Sequence, residues 1–332
     1  MAQYPSFREA ASKGFVFPEA RAWIGQPGVA QDAALITTAN TTVPVELTAY
    51  IDPRVVEILT AVRNARALFP EVQKGDWTTS YDKWAVEELT GASQPYTDYA
   101  NGVTSGVNYD WMSREQYVYQ TTITYGDKEL DVSARARIDL ASRKQVAAAT
   151  TLDIDSNKFA LLGVAGKAIY GLLNDPNLPA SEALGTAWTS ATAEAIFNDI
   201  NSKLFAKLST NSGGHITYDT PLKLAVSPAS ISYLGKTNSY GKTVMEMLKA
   251  QFSNIEVVTI PELASLSAGD TIFMIAPEID GAPSAELPFG VKMRAGRLVP
   301  GLSHWSQKFV ASTYGGIVYR PFAFASIYGM AG

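Results

Sequence analysis

The sequence predicts an α+β fold: a projecting β-hairpin and a very long helix joined to a compact layer of buried strands and helices. Three observations predict it. Residues 72–126 hold two strand-like runs separated by a dense stretch of turn-forming residues. Residues 127–162 contain no Gly or Pro, and Gly126 and Gly163 bracket them. "LKLAVS", "IEVVTI" and "TIFMIA" are short apolar runs of buried-strand type, with the helical pattern "TVMEMLKAQF" between the first two.

Residues 1–50 have almost no periodicity and are rich in Ala, Thr and Pro, as in "TTANTTVPVELTAY". Such a stretch buries little surface by itself, so its own body or a neighbouring subunit is expected to order it. In "IDPRVVEILTAVRNARALFP", Val55, Ile58, Leu59 and Val62 recur at helical spacing, behind Asp52 as N-cap and Pro53 at the first helical position. "REQYVYQTTITYG" alternates, so Tyr117, Tyr119, Thr121, Ile123 and Tyr125 share one face of a strand. "DWTTSYDKWAV" is its expected partner, and "TGASQPYTDYANGVTSGVNYD" the connection between them. In the glycine-free stretch, Leu130, Ala134, Ile138, Ala141, Gln145, Ala148 and Leu152 step by three or four, with Gln145 the polar exception. One continuous helix there would be roughly 50 Å long. "TSATAEAIFNDINSKLFAKLS" reads as a helix with a Ser or Thr cap, and "GGIVYRPFAFASIYG" as strand-like and aromatic.

Apolar residues make up 46% of the 332-residue chain and charged residues 18%, below the ~25% of ordinary soluble domains. A large core is within reach, and apolar surface is left over that copies of the chain could hide. A net charge of −5 argues against a strongly basic nucleic-acid binder, with local basic patches left open. The absence of cysteine removes disulfides, thiol catalysis and cysteine-ligated metals. The opening residues lack a basic start followed by an apolar run, so no secretory signal is expected, and a bacterial cytoplasm would suit the chain. "FALLGVAGKAIYGLL" is too short to span a bilayer, contains Lys167 and is broken by glycines.

The chemical motifs fail on spacing. "GKTNSYGKT" at 235–243 resembles the end of a phosphate loop, but the first glycine should be residue 236, which is Lys236. The expectation is a polar surface loop whose Thr243 starts a helix. "DIDSNKFALLGV" begins like a calcium loop, yet its sixth position is Lys158 and its twelfth Val164. Asp153 and Asp155 are therefore read as solvated helix charges. "GLSHW" lacks the closing glycine of a nucleophile elbow, and neighbours Ser303 and His304 point to opposite faces of a strand. His215 is the other histidine. No cofactor or metal site is expected. A hidden carboxylate pair among the 32 acidic residues stays open.

The aromatic hairpin is the strongest positive signal. It holds Trp77, Tyr81, Trp84, Tyr96, Tyr99, Tyr109, Trp111, Tyr117, Tyr119 and Tyr125. These could form an ordinary β core. They could equally anchor a contact with another subunit, since Trp and Tyr do so and a lone two-stranded ribbon is marginal. Base stacking is disfavoured, because Lys83 and Arg114 are sparse basic company. Trp84, Tyr96, Tyr99, Tyr109 and Trp111 are the candidate intersubunit residues.

The order of arm, short helix, hairpin, very long helix, α/β region and terminal strands resembles the major capsid proteins of tailed bacteriophages, with the Hong Kong 97-like fold. "LKLAVSPASISYL" followed by "TVMEMLKAQFSNIEVVTIPEL" resembles a strand–helix–loop–helix–strand unit of one capsid subfamily, and "YGGIVYRPFAFASIYG" its closing strand. The resemblance implies an N-terminal arm at 1–50, a first part of the peripheral domain at 51–71 and an extended loop at 72–126. It further implies a spine helix and peripheral domain at 127–184, an axial domain at 185–295 and peripheral C-terminal strands at 296–332. It implies self-assembly into pentamers and hexamers of an icosahedral shell around DNA, with no sequence-specific DNA contact, no membrane and no catalysis. A separate scaffolding protein, a portal and a decoration protein are the other partners it suggests. The virion is the implied location and the host bacterial cytoplasm the implied place of assembly. Two rivals remain: an encapsulin compartment of the same fold, disfavoured by the extended arm, and an oligomeric enzyme with acidic catalytic residues.

Overall fold

A computed structural model describes residues 63–98, 101–135, 139–266 and 269–330. The arm at 1–50 and the helical positions Val55, Ile58, Leu59 and Val62 lie outside the described residues, as do Tyr99 and Ile138.

In chain order the elements begin with helix α1 (Ala65–Leu68) and strand β1 (Glu71–Gln73), then β2 (Tyr81–Thr90), β3 (Gly106–Glu115) and β4 (Tyr117–Gly126). Helices α2 (Asp127–Arg135) and α3 (Leu140–Leu162) follow, then β5 (Glu182–Ala183). Helix α4 (Ala193–Asp199) runs through a π turn at Ile200–Phe205 into α5 (Ala206–Asn211). Strand β6 (Leu222–Val226), helix α6 (Val244–Gln251), β7 (Ile255–Thr259) and β8 (Thr271–Ile275) form the next unit. Short strands β9 (Glu278–Ile279) and β10 (Ala282–Pro283) precede β11 (Ala285–Phe289), β12 (Arg294–Pro300) and β13 (His304–Thr313). The described chain closes with β14 (Ile317–Val318) and β15 (Phe324–Tyr328).

Two sheets organise the body. A five-stranded sheet runs β5–β15–β8–β6–β7. Its central strands β6 and β8 are nearly or wholly buried, so they read as unbroken apolar runs rather than alternating ones. The pair β6–β7 is parallel, as its crossover through α6 requires. Helix α6 starts at a reciprocal cap. The Thr243 hydroxyl accepts from Glu246 N at 3.2 Å, while Thr243 N donates to Glu246 Oε2 at 2.9 Å. Trp188, Ile196, Ile200, Leu204 and Phe324 are among the buried side chains of the large core cluster to which β6 and β8 contribute.

The second sheet has six strands in the order β1–β11–β13–β12, with β14 on β11 and β4 on β13. A smaller cluster joins it to α3: Ile123, Tyr125, Phe309 and Ala311 from the strands meet Ala148 and Leu152 from the helix. The alternation in β4 therefore points where its pattern requires, with Tyr119 and Tyr125 donating to the carbonyls of Leu152 and Ala141 at 3.3 and 3.5 Å. Burial pushes the Tyr119 phenol up to about 12.

Four sequence expectations are corrected. The helix expected over 127–162 is not continuous, because Asp139 has non-helical dihedrals and its side chain caps α3 by accepting from Ser142 N at 3.1 Å. No helix breaker is needed for this, since an Asp cap stabilises a new start by itself. Strand β4 does not pair with the 76–86 run; it pairs along its whole length with β13. The 76–86 run instead feeds β2, whose partner is β3, so "GVNYD" is strand rather than turn. Residues 296–332 divide between the sheets: β13 lies in the six-stranded sheet, and β15 pairs with β8 in the five-stranded one. Helix α3 ends at Gly163, with φ of 70° and room for no side chain, because a Cβ would lie 2.2 Å from the Ile169 carbonyl oxygen.

Candidate subunit interface: the β2–β3 ribbon

Strands β2 and β3 pair over ten residues each, from Tyr81 opposite Glu115 to Thr90 opposite Gly106. A ribbon of that length reaches about 33 Å. Among the described residues only its base is tied down. Lys74 Nζ donates to the Tyr319 hydroxyl at 2.5 Å and lies 3.2 Å from Glu286 Oε2 and 3.4 Å from Asp82 Oδ2. The Tyr319 hydroxyl in turn donates to Glu286 Oε2 at 3.1 Å. Burial alone would lower the Lys74 ammonium; the bond to Tyr319 and the two carboxylates outweigh it and hold the pKa above the ordinary lysine value. Trp84 packs edge-on against Tyr319 with ring centroids 5.8 Å apart. Across the ribbon, Arg114 donates to the Tyr170 carbonyl and to Asp175 Oδ2, both at 3.3 Å.

Beyond this base the two faces differ. Directly paired residues share a face, so Ala85, Glu87 and Leu89 lie with Trp111, Tyr109 and Val107. Trp111 is 68% exposed, Tyr109 63% and Leu89 77%. The opposite face carries Val86 and Met112 between Glu88 and Asp110. Tyr96, in the connection at the tip, is 88% exposed.

The five candidate residues thus separate. Tyr109 and Trp111 sit side by side on one exposed face, and Tyr96 stands at the tip. Trp84 belongs to the base, half-buried against its own chain, and Tyr99 lies outside the described residues. Leu89 and Val107 were missed. Their signal was present as the alternation of Val107, Tyr109 and Trp111, inside a stretch whose glycines and asparagines suggested a turn. Tyr117, Tyr119 and Tyr125 follow the core alternative instead.

The other motifs resolve locally. Lys236 donates to the carbonyls of Trp188, Thr189 and Ala191 at 2.6, 3.0 and 2.9 Å, so its ammonium caps a loop end rather than a phosphate. Asn238 Oδ1 accepts from Tyr240 N and Lys242 N, both at 3.0 Å, which turns those amides inward. Lys242→Ala is accordingly expected to leave particle formation unchanged, and ATP with magnesium to produce no thermal shift in the parent protein. An ATP-dependent shift lost in that variant would restore the nucleotide reading.

Asp153 is not merely solvated. It bonds to Arg66 and lies 2.6 Å from Arg63 Nη1, at a cleft of about 300 Å³ that also presents Glu71 and Lys292. Glu71 in turn takes Arg66 at 2.6 Å and Lys292 at 2.5 Å. Each of these carboxylates is held by two cations. His215 Nδ1 lies 2.8 Å from Asp280 Oδ2, and both are well exposed. Among the described residues no group of three His, Cys, Asp or Glu side chains could hold a metal, and no helix is long and apolar enough to cross a membrane.

A family model described as the Pa193 gp26 major capsid protein matches residues 34–329. No curated protein sequence matches the chain. Among solved structures, the capsid of Myoviridae phage XM1 is similar with a TM-score of 0.75 at 11% identity, covering 87% of this chain and 99% of that one. The capsid of the native GTA particle is similar with a TM-score of 0.61 at 11% identity, covering 90% and 99%. Mycobacterium phage Che8 follows with 0.53 at 15% identity, covering 89% and 100%. At such identities these likenesses concern the fold, whereas the family match spans most of the sequence. The chain belongs to the Pa193 gp26 major capsid protein family, and it carries the Hong Kong 97-like fold of tailed-phage capsid subunits.

Proposed function

We propose that this major capsid protein assembles into the pentamers and hexamers of an icosahedral shell that encloses DNA, and that the β2–β3 ribbon covers a neighbouring subunit. The observation that carries the proposal is the ribbon itself. It is anchored at one end, and it exposes Trp111, Tyr109, Leu89 and Val107 on one face. A two-stranded ribbon with that face in water is unstable unless something covers it. Many copies of one modest contact hold a shell together through multivalency.

The resemblance-based domains take the following form. The extended loop is β2–β3 with its connection, the spine is α3, and the six-stranded sheet is the peripheral domain. The axial domain is the five-stranded sheet with its helices, and it includes β15. Assembly takes place in the host bacterial cytoplasm and the product resides in the virion. A scaffolding protein, a portal and a decoration protein are its further partners, and DNA is enclosed without sequence-specific contact.

Sedimentation and negative-stain microscopy at micromolar concentration should show capsomers or shells, and particles from infected cells should hold nuclease-protected DNA. A 36 kDa monomer in every salt and pH tried would refute the proposal. Particles carrying a bound cargo enzyme and no DNA would move the assignment to an encapsulin.

A further inference from the structure

The cleft at Asp153 lies apart from the ribbon, and its charges do not cancel. Arg63 and Arg66 reach it from the start of the described chain, Asp153 from α3, Glu71 from β1 and Lys292 from the segment between β11 and β12. Among the described residues, three cations therefore share the cleft with two carboxylates. Every carboxylate oxygen already has a cation. Asp153 Oδ1 has Arg66 and Oδ2 has Arg63, while Glu71 Oε1 has Arg66 and Oε2 has Lys292.

The acceptors are used up and the donors are not. A guanidinium or an ammonium carries more N–H groups than these contacts engage. Among the described residues, Arg63 Nε and Nη2 and Arg66 Nη1 have no acceptor. The order of exposure adds to this. Asp153 and Glu71 are the less exposed side chains, and Arg63, Arg66 and Lys292 the more exposed. A solute entering the cleft meets the cations first. The Lys292 ammonium is held 4.8 Å over the Phe289 ring, which also lines the cleft. A volume of about 300 Å³ leaves room for a small anion, at the lower end of ligand-pocket sizes.

We propose that this cleft is a binding site for one phosphate group, held between Arg63, Arg66 and Lys292. A tetrahedral phosphate accepts from several directions at once, which suits cations that come from separate parts of the chain. A planar carboxylate would fill one guanidinium fork and leave the other donors unused. Free inorganic phosphate and a backbone phosphate of enclosed nucleic acid offer the same chemistry. The excess is a single positive charge, so the expected affinity is modest. The site does not depend on what the ribbon covers.

Equilibrium dialysis of radiolabelled inorganic phosphate against the full-length protein tests it. Binding should saturate at about one phosphate per subunit, half-filled at about 1–10 mM. Arg63→Gln/Lys292→Met should weaken binding at least about tenfold, while Arg66 remains to hold both carboxylates. Lys292→Arg keeps the charge and should bind within about threefold of the parent. Circular dichroism checks that each variant folds. Should the double variant fail to fold, Lys292→Met alone serves, with binding weakened about threefold or more.

An unlabelled thymidine oligonucleotide separates the two sources. Displacement of the label identifies a backbone phosphate as the ligand, and retention identifies the free ion; either result supports the site. Absence of saturable binding to the parent would overturn the proposal. So would folded variants that bind as the parent does, because the phosphate would then sit elsewhere. Acetate that displaces the label as readily as unlabelled phosphate would show a carboxylate site instead, and the assignment of phosphate would fall.

Discussion

Replacing residues 85–111 with an Asn-Gly turn is expected to yield a subunit that folds and no longer assembles. The cut is placed by register. Trp84 lies opposite Met112, so a two-residue turn can join them without shifting the strands below. Everything that holds the ribbon to the body stays in place: Trp84 on Tyr319, Asp82 beside Lys74, and Arg114 beside Asp175. The described side chains removed, 85–98 and 101–111, are exposed in the subunit and belong to neither core cluster. The melt should therefore remain cooperative and the circular dichroism close to the parent's. Each large apolar side chain that a neighbour buries contributes roughly 1.5–3 kcal/mol. Trp111→Ala alone should then weaken each contact by roughly tenfold or more, with shells forming only at higher concentration. An insoluble or molten truncated chain would instead place these aromatics in the subunit core.

Arg114→Met is expected to produce the largest loss of subunit stability. The Arg114 and Asp175 side chains are 9% and 4% exposed. Removing the guanidinium leaves a carboxylate in a nearly dry site, at a cost of about 3–5 kcal/mol. The cation over the Tyr170 ring and the bond to the Tyr170 carbonyl are lost with it. Arg114→Met combined with Asp175→Asn should recover most of the loss. The asparagine is neutral and can still accept from Asn177 N, as Asp175 Oδ1 does at 3.0 Å. Urea midpoints of the two variants measure the difference. A single variant within about 1 kcal/mol of the parent would mean that solvent reaches Asp175 and that the pair is ordinary surface chemistry.

Much of the candidate interface was visible in residue types. Trp111, Tyr109 and Tyr96 were singled out because large aromatics in a two-stranded ribbon need a partner. What could not be seen was which aromatics already had one. Tyr119 and Tyr109 lie in similar alternating stretches, yet α3 covers Tyr119 and nothing in the described subunit covers Tyr109. Trp84 shows the same limit, since Tyr319, which packs against it, lies far along the chain.

Local pattern was enough for the identity of most elements. Strands β6, β7 and β8 announce themselves as apolar runs, and Thr243 with Glu246 announces the start of α6. The spacing of "GKTNSYGKT" rules out a phosphate cradle without any coordinates. These are properties of neighbouring residues, governed by dihedral preference, capping and periodicity over a few positions. Partner choice was decided only in three dimensions. The pairing of β4 with β13, the assignment of β15 to the other sheet and the new helix start at Asp139 each join or reorient segments to bury surface together. Several arrangements satisfy the same local pattern, and the one adopted is the one that closes both cores. The ribbon is what remains when they have closed, with its apolar face exposed.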